Sequence, residues 1–175
     1  MKTLILIFHP DLEQTQVNDC FADNIELQPK TTVRRLYDIY SRGTIDVLKE
    51  QKLLEQADRI VFQFPLQRYS SPSLLVEWEE EVLTSNWAFS EKGKQLEGKE
   101  LLLIVTKDQE TNHCRCEIDE LLRPFEALAK DLGLIYLKPI VLKEQLMDNR
   151  QDLDYLVSTY IREALKEKTE LRRSV

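Results

Sequence analysis

Glycine is scarce, with four residues in a chain of 175. None lies between His9 and Asn18, where the first apolar run gives way to the first helical pattern. That absence excludes both the dinucleotide-binding fingerprint and the glycine-rich triphosphate loop at this junction. Cysteine is limited to Cys20, Cys114 and Cys116. An odd count offers no disulfide framework and suits reduced thiols in the cytoplasm. Histidine is limited to His9 and His113, so His113-Cys114-Arg115-Cys116 lacks the partners and the spacing of a structural zinc site, and no metal is expected. No Ser/His/Asp or Cys/His grouping is readable. Basic residues are outnumbered 24 to 31, for a net charge of −7, which argues against nucleic acid or an anionic membrane surface as the main partner. An anionic cofactor is not disfavoured, because backbone N–H groups can hold it. Long hydrophobic runs are absent too. Leu4–Phe8 is too short for a secretory or membrane-spanning segment and reads as a strand, so no membrane insertion is expected.

What is present fits one domain over residues 1–175. Strands are expected at Thr3–Phe8, Thr31–Leu36, Arg59–Phe64, Leu101–Thr106 and Ile135–Leu142. The third should break at Pro65, and the last is interrupted by Pro139, as at an edge or a bend. Helical patterns open at Thr15 (Val17, Phe21, Ile25), cover Val47–Ala57, and run from Pro72 to about Thr84 with Ser71 as N-cap. The apolar face of that last helix suits either core or interface. Further helices are expected at Glu117–Leu132, kinked or broken at Pro124 and capped by Gly133, and at Asp152–Leu165, before a frayed tail. Asn86–Lys99 reads as a long surface loop, and Glu79-Glu80-Glu81 as a solvated helix face. Strands alternating with helices give a flavodoxin-like three-layer α/β sandwich. Its five-stranded parallel sheet has the order 2-1-3-4-5, with a ligand crevice beside the first and third strands.

Chemistry is concentrated at the carboxyl ends of those strands. Thr15–Asn18 can hold a phosphate on first-turn N–H groups, or Thr15 can simply cap the helix. Leu66-Gln67-Arg68-Tyr69 can grip a flat heterocycle or form an ordinary turn. The Arg68 guanidinium can stack on a ring, stabilise negative charge on a reduced flavin, or form a surface ion pair.

The segments Phe64-Pro65-Leu66-Gln67-x-Tyr69-Ser70-Ser71-Pro72, Glu77-Trp78, Val82-Leu83-Thr84 and Trp87-Ala88-Phe89 resemble the flavodoxin-like NAD(P)H:quinone oxidoreductases. That family includes DT-diaphorase, the modulator of drug activity and the ancillary subunit of the glutathione-gated potassium efflux system. The likeness extends to His9-Pro10 with Thr15 and Asn18, Leu54-x-x-Ala57-Asp58-x-Ile60-Val61, Leu96-x-Gly98-Lys99 and Gly133-x-x-Tyr136-Leu137-x-Pro139.

The resemblance implies a non-covalent flavin, FMN with FAD as the alternative. Hydride would pass from NADPH or NADH to the flavin and on to a quinone in a ping-pong cycle. Carried over by position, His9, Thr15, Gln16, Val17 and Asn18 would line the flavin phosphate. Pro65, Leu66, Gln67, Arg68 and Tyr69 would meet the isoalloxazine, and the loop Thr106-Lys107-Asp108-Gln109 would cover its polar edge. Arg68, Tyr69 and His113 would be the catalytic groups. A cytoplasmic homodimer is implied, and one member of the family serves a membrane-protein partner.

The chain departs from the family at Arg68, where Trp is usual, and at Thr106-Lys107-Asp108-Gln109, where Thr-Thr-Gly-Gly is usual. Ser90 replaces a usual Gly after Phe89, and the segment that usually holds a Tyr and a His for charge relay offers only His113. Asp108 and Gln109 add bulk and negative charge where backbone should approach the flavin. The alternative is therefore a degenerate flavodoxin-like regulatory or interaction subunit with weak or no flavin turnover.

Overall fold

A computed structural model describes residues 1–10, 16–40, 43–66, 70–89, 94–107, 117–143 and 150–166. The chain order is β1 (Thr3–Ile7), α1 (Gln16–Glu26), β2 (Thr31–Arg35), α2 (Leu36–Tyr40), α3 (Val47–Gln56), β3 (Arg59–Leu66), α4 (Ser73–Val82) and α5 (Ser85–Ala88). Then come β4 (Glu100–Lys107), α6 (Ile118–Asp131), β5 (Ile135–Tyr136), β6 (Ile140–Lys143) and α7 (Arg150–Leu165). All the pairings are parallel, in the order β2-β1-β3-β4-β5, and β6 joins β4 farther along the same edge.

The three layers follow from the two-residue period of a strand. Leu4, Leu6, Ile60, Phe62, Leu101 and Leu103 turn to one face, under α3, α4 and α6. Ile5, Ile7, Val61, Leu102 and Ile104 turn to the other, against Val17, Phe21 and Ile25 of α1 and Val157 and Ile161 of α7. Because both faces are covered, the central strands read as unbroken apolar runs rather than alternating ones. On the first face Phe8, Phe62 and Trp78 meet edge to face, with centroids 5.6–5.8 Å apart. Each such contact adds about 0.5–1.5 kcal/mol beyond burial.

Several boundaries differ from the sequence expectation. Pro65 does not end β3, which continues to Leu66 and pairs Pro65 with Thr106 of β4. The Gln63 carbonyl accepts from the Phe8 N–H at 2.8 Å, so odd-numbered residues here turn their backbone groups toward β1. Strand β1 has ended by then, and the donor that Pro65 lacks has no ladder to serve. Pro72, not Ser71, is the N-cap of α4 and forms no side-chain cap bond.

The apolar face of α4 (Leu74, Leu75, Trp78, Val82) packs into the core. The expected loop 86–99 begins inside α5 and contains the buried Leu96. Helix α6 runs without a break through Pro124. Gly133 follows the helix at φ +67°, as a helix stop requires. The expected last strand is split into β5 and β6, with Pro139 in the gap.

The amino-terminal edge of the sheet is pinned by charge. Arg59 and Glu100 stand directly opposite in the β3–β4 register, and Arg59 Nη2 lies 2.7 Å from Glu100 Oε2, both side chains 1% exposed. The same guanidinium donates to the Ala164 and Lys166 carbonyls at 2.6 Å, closing the negative end of α7. Lys99 does the same for α3, donating to the Glu55 and Ala57 carbonyls at 2.8 and 2.5 Å. Burial lowers the pKa of that ammonium.

Candidate functional site

Strand β1 lies between β2 and β3, so the chain leaves it first to one side and later to the other. The crossovers before and after β2 therefore diverge, and in sheets of this topology ligands bind outside the carboxyl ends of the strands at that point, here β1 and β3. Residues 11–15 lie outside the described residues, and α1 starts at Gln16. The backbone N–H groups of Gln16, Val17 and Asn18 belong to the first described turn of that helix. They form the positive end of the helix.

The side chains behind that turn are specific. Asn18 is fully buried. Its Oδ1 accepts from Gln63 Nε2 of β3 at 3.2 Å and from Thr106 Oγ1 of β4 at 2.8 Å. Gln63 is also fully buried, and Thr106 is 1% exposed. A single amide oxygen thus ties the start of α1 to β3 and β4 just where those strands enter the crevice. Gln63 Oε1 has no hydrogen-bond partner among the described residues.

The structure brings together part of the site expected from sequence. His9 is buried just past β1, and Val17 is in the core against the sheet. Pro65 and Leu66 are strand residues, and Leu66 turns its side chain into the core. Thr106 and Lys107 belong to β4 rather than to a loop, with Lys107 paired to Leu66. Gln67, Arg68, Tyr69, Thr15, Asp108, Gln109 and His113 lie outside the described residues, as do Cys114 and Cys116. Among the described residues, no group of three or more His, Cys, Asp or Glu side chains is placed to hold a metal. No described helix is long and apolar enough to cross a membrane.

Sequence reasoning passed over Gln63. Its signal was one amide inside the apolar run from Ile60 to Phe64. It also misplaced Glu79, expected on a solvated face. Burial pushes its carboxyl up to about 7, and its Oε1 is buried without a hydrogen-bond partner among the described residues. Away from the crevice, Glu50 is buried and paired with Arg34, and the Tyr40 hydroxyl donates to it at 2.7 Å. Desolvation, then the Glu50 carboxylate, raises the Tyr40 phenol to about 12.

Comparison with known proteins agrees with this architecture. The Flavodoxin_2 profile, described as a flavodoxin-like fold, matches residues 1–162. The uncharacterised NAD(P)H oxidoreductase YrkL of Bacillus subtilis is 43% identical over 143 residues, 78% of this chain and 82% of its own length. The structure of general stress protein 14 from Treponema denticola in complex with FMN superposes with a TM-score of 0.85 at 35% identity, covering 94% of this chain and 98% of that one. An NADPH-quinone reductase from P. pentosaceus superposes with a TM-score of 0.82 at 32% identity, covering 95% and 99%.

Proposed function

Because the chain belongs to the Flavodoxin_2 family, we propose that it is a flavin-dependent NAD(P)H:quinone oxidoreductase with its cofactor site in the crevice beside β1 and β3. A bound flavin would supply the two-electron chemistry, with reduced nicotinamide as hydride donor and a quinone as acceptor in a ping-pong cycle.

The observation that carries this reading is the convergence of three elements on one point. The first described turn of α1 meets β3 and β4 around Asn18. The residues present fit a flavin there. The N–H groups of Gln16, Val17 and Asn18 suit a phosphate, because a helix amino terminus offers donors and positive potential without a glycine loop. His9 and Thr15 complete that end. At the other end Leu66 delivers the chain into Gln67, Arg68 and Tyr69, which hold the ring system. Arg68 stabilises negative charge on it, Tyr69 packs beside it, and Lys107 to Gln109 border its polar edge, with Thr106 buried behind them against Asn18. His113 relays a proton. FMN is favoured over FAD, since the FMN-bound relative spans nearly the same length of chain. The working form is a cytoplasmic homodimer that takes NADPH or NADH.

Titration of apoprotein with FMN and with FAD, followed by flavin fluorescence, tests the reading. Micromolar or tighter FMN binding, then menadione reduction by NADPH or NADH, is the expected result. If neither flavin binds, Asp108 and Gln109 have closed the site, and the chain is a degenerate interaction subunit whose protein partner should be sought.

A further inference from the structure

On the face of the sheet covered by α1 and α7, the charged Arg59–Glu100 pair at the amino-terminal edge gives way to apolar residues along β1, β3 and β4 until the last residues before the crevice. There Gln63 and Thr106 replace aliphatic side chains and meet Asn18. An apolar trio of the same size would pack as well and leave no amide oxygen short of a partner, whereas Gln63 Oε1 lacks one among the described residues. Burying such a group is unfavourable. What the polar trio adds is direction. A hydrogen bond fixes distance and angle, while an apolar contact lets a helix slide along a sheet. The element so fixed is the first turn of α1, and the elements it is fixed to are the two strands that lead into residues 67–69 and 108–109.

We propose that Gln63 is a positioning residue of the cofactor site, acting with Thr106 through Asn18 to set the span between phosphate-holding and ring-holding ends. This rests on the flavin reading above. A ligand bound at both ends gains from each end already being in place for the other, so affinity depends on that span. A ligand bound only at the ring end does not sense it. FMN and riboflavin differ by the phosphate alone, and their ratio of affinities reports the span.

The experiment measures dissociation constants of FMN and riboflavin, by quenching of flavin fluorescence, for wild type, Gln63→Met, Thr106→Val and Thr106→Ser. Gln63→Met keeps volume and removes the donor to Asn18. Thr106→Val keeps shape and removes the hydroxyl, and Thr106→Ser restores it. Loss of one such bond should reduce the FMN preference over riboflavin by about fivefold to tenfold, and Thr106→Ser should stay within about twofold of wild type. Loss of a direct ring contact, or a general loosening, would weaken both flavins alike and leave the ratio unchanged, which overturns the proposal. So would a Thr106→Ser variant as impaired as Thr106→Val. If Gln63→Met does not fold, the two Thr106 variants carry the test. Wild type that binds neither flavin would remove the flavin reading itself and this inference with it, a result distinct from an unchanged ratio.

Discussion

Glu79 offers a measurement in which sign and size both follow from the structure. Its carboxyl is partly buried on α4, with Oε1 lacking a hydrogen-bond partner among the described residues, and burial raises it from 4.5 to about 7. In the unfolded chain the group ionises near the ordinary value. Between the two values the folded state holds a proton that the unfolded state has released, so stability falls as pH rises. The stabilising contribution is complete below 4.5 and is lost as pH rises through about 7. At ~1.36 kcal/mol per pH unit this loss is at most about 3 kcal/mol, because water still reaches part of the side chain. Glu79→Gln keeps the shape and cannot ionise. Urea unfolding of both proteins at about pH 5 and about pH 8 isolates the effect, since every other titrating group is common to the pair. The variant should gain on wild type between the two conditions by roughly 1 to 3 kcal/mol, with no change in m-value. A gap that stays the same at both pH values would mean that Glu79 titrates as an exposed carboxylate, and the burial argument would fail.

Arg59→Met should be severely destabilising, by about 3–5 kcal/mol in urea unfolding, because the buried Glu100 carboxylate loses its guanidinium partner while α7 loses two donors at its end; Arg59→Met with Glu100→Leu should recover part of that loss. Tyr40 and Tyr136, both raised to about 12, should remain un-ionised at about pH 11 when the ultraviolet phenolate band is followed, and full ionisation of all six tyrosines there in folded protein would contradict their burial. Their raised values contribute stability below pH 10 that is lost as pH climbs toward 12. Pro124→Ala should stabilise the protein by roughly 1–3 kcal/mol in thermal or urea unfolding, since Pro124 is exposed inside α6 and an alanine N–H there can meet the Glu120 carbonyl.

The layers and strand order were legible in the sequence because they rest on periodicity. Runs such as Leu4–Ile7 and Leu101–Val105 have no polar side to turn outward, and their spacing from amphipathic helices admits few arrangements. The extension of β3 through Pro65 was not legible. Whether a missing N–H matters depends on where the neighbouring strand stops, which no local pattern encodes. The Arg59–Glu100 pair became visible only once the register set those two residues side by side. At the crevice, the family likeness pointed to the segments around His9, Leu66 and Thr106. It did not show that Asn18 and Thr106 are bonded to each other or that Gln63 joins them. A side-chain bond spanning 88 residues of sequence is a property of the assembled sheet.

The two outer rims of the sheet have a consequence for association. One rim is β2, five residues long and ending in Arg34 and Arg35. The other is divided between two short strands, with Pro139 between them. Neither offers the long, flat, uncharged rail of backbone donors and acceptors on which a further strand could dock, so both rims are protected against edge-to-edge polymerisation. Copies of this chain that associate are expected to do so without extending the sheet, each sheet ending within its own subunit.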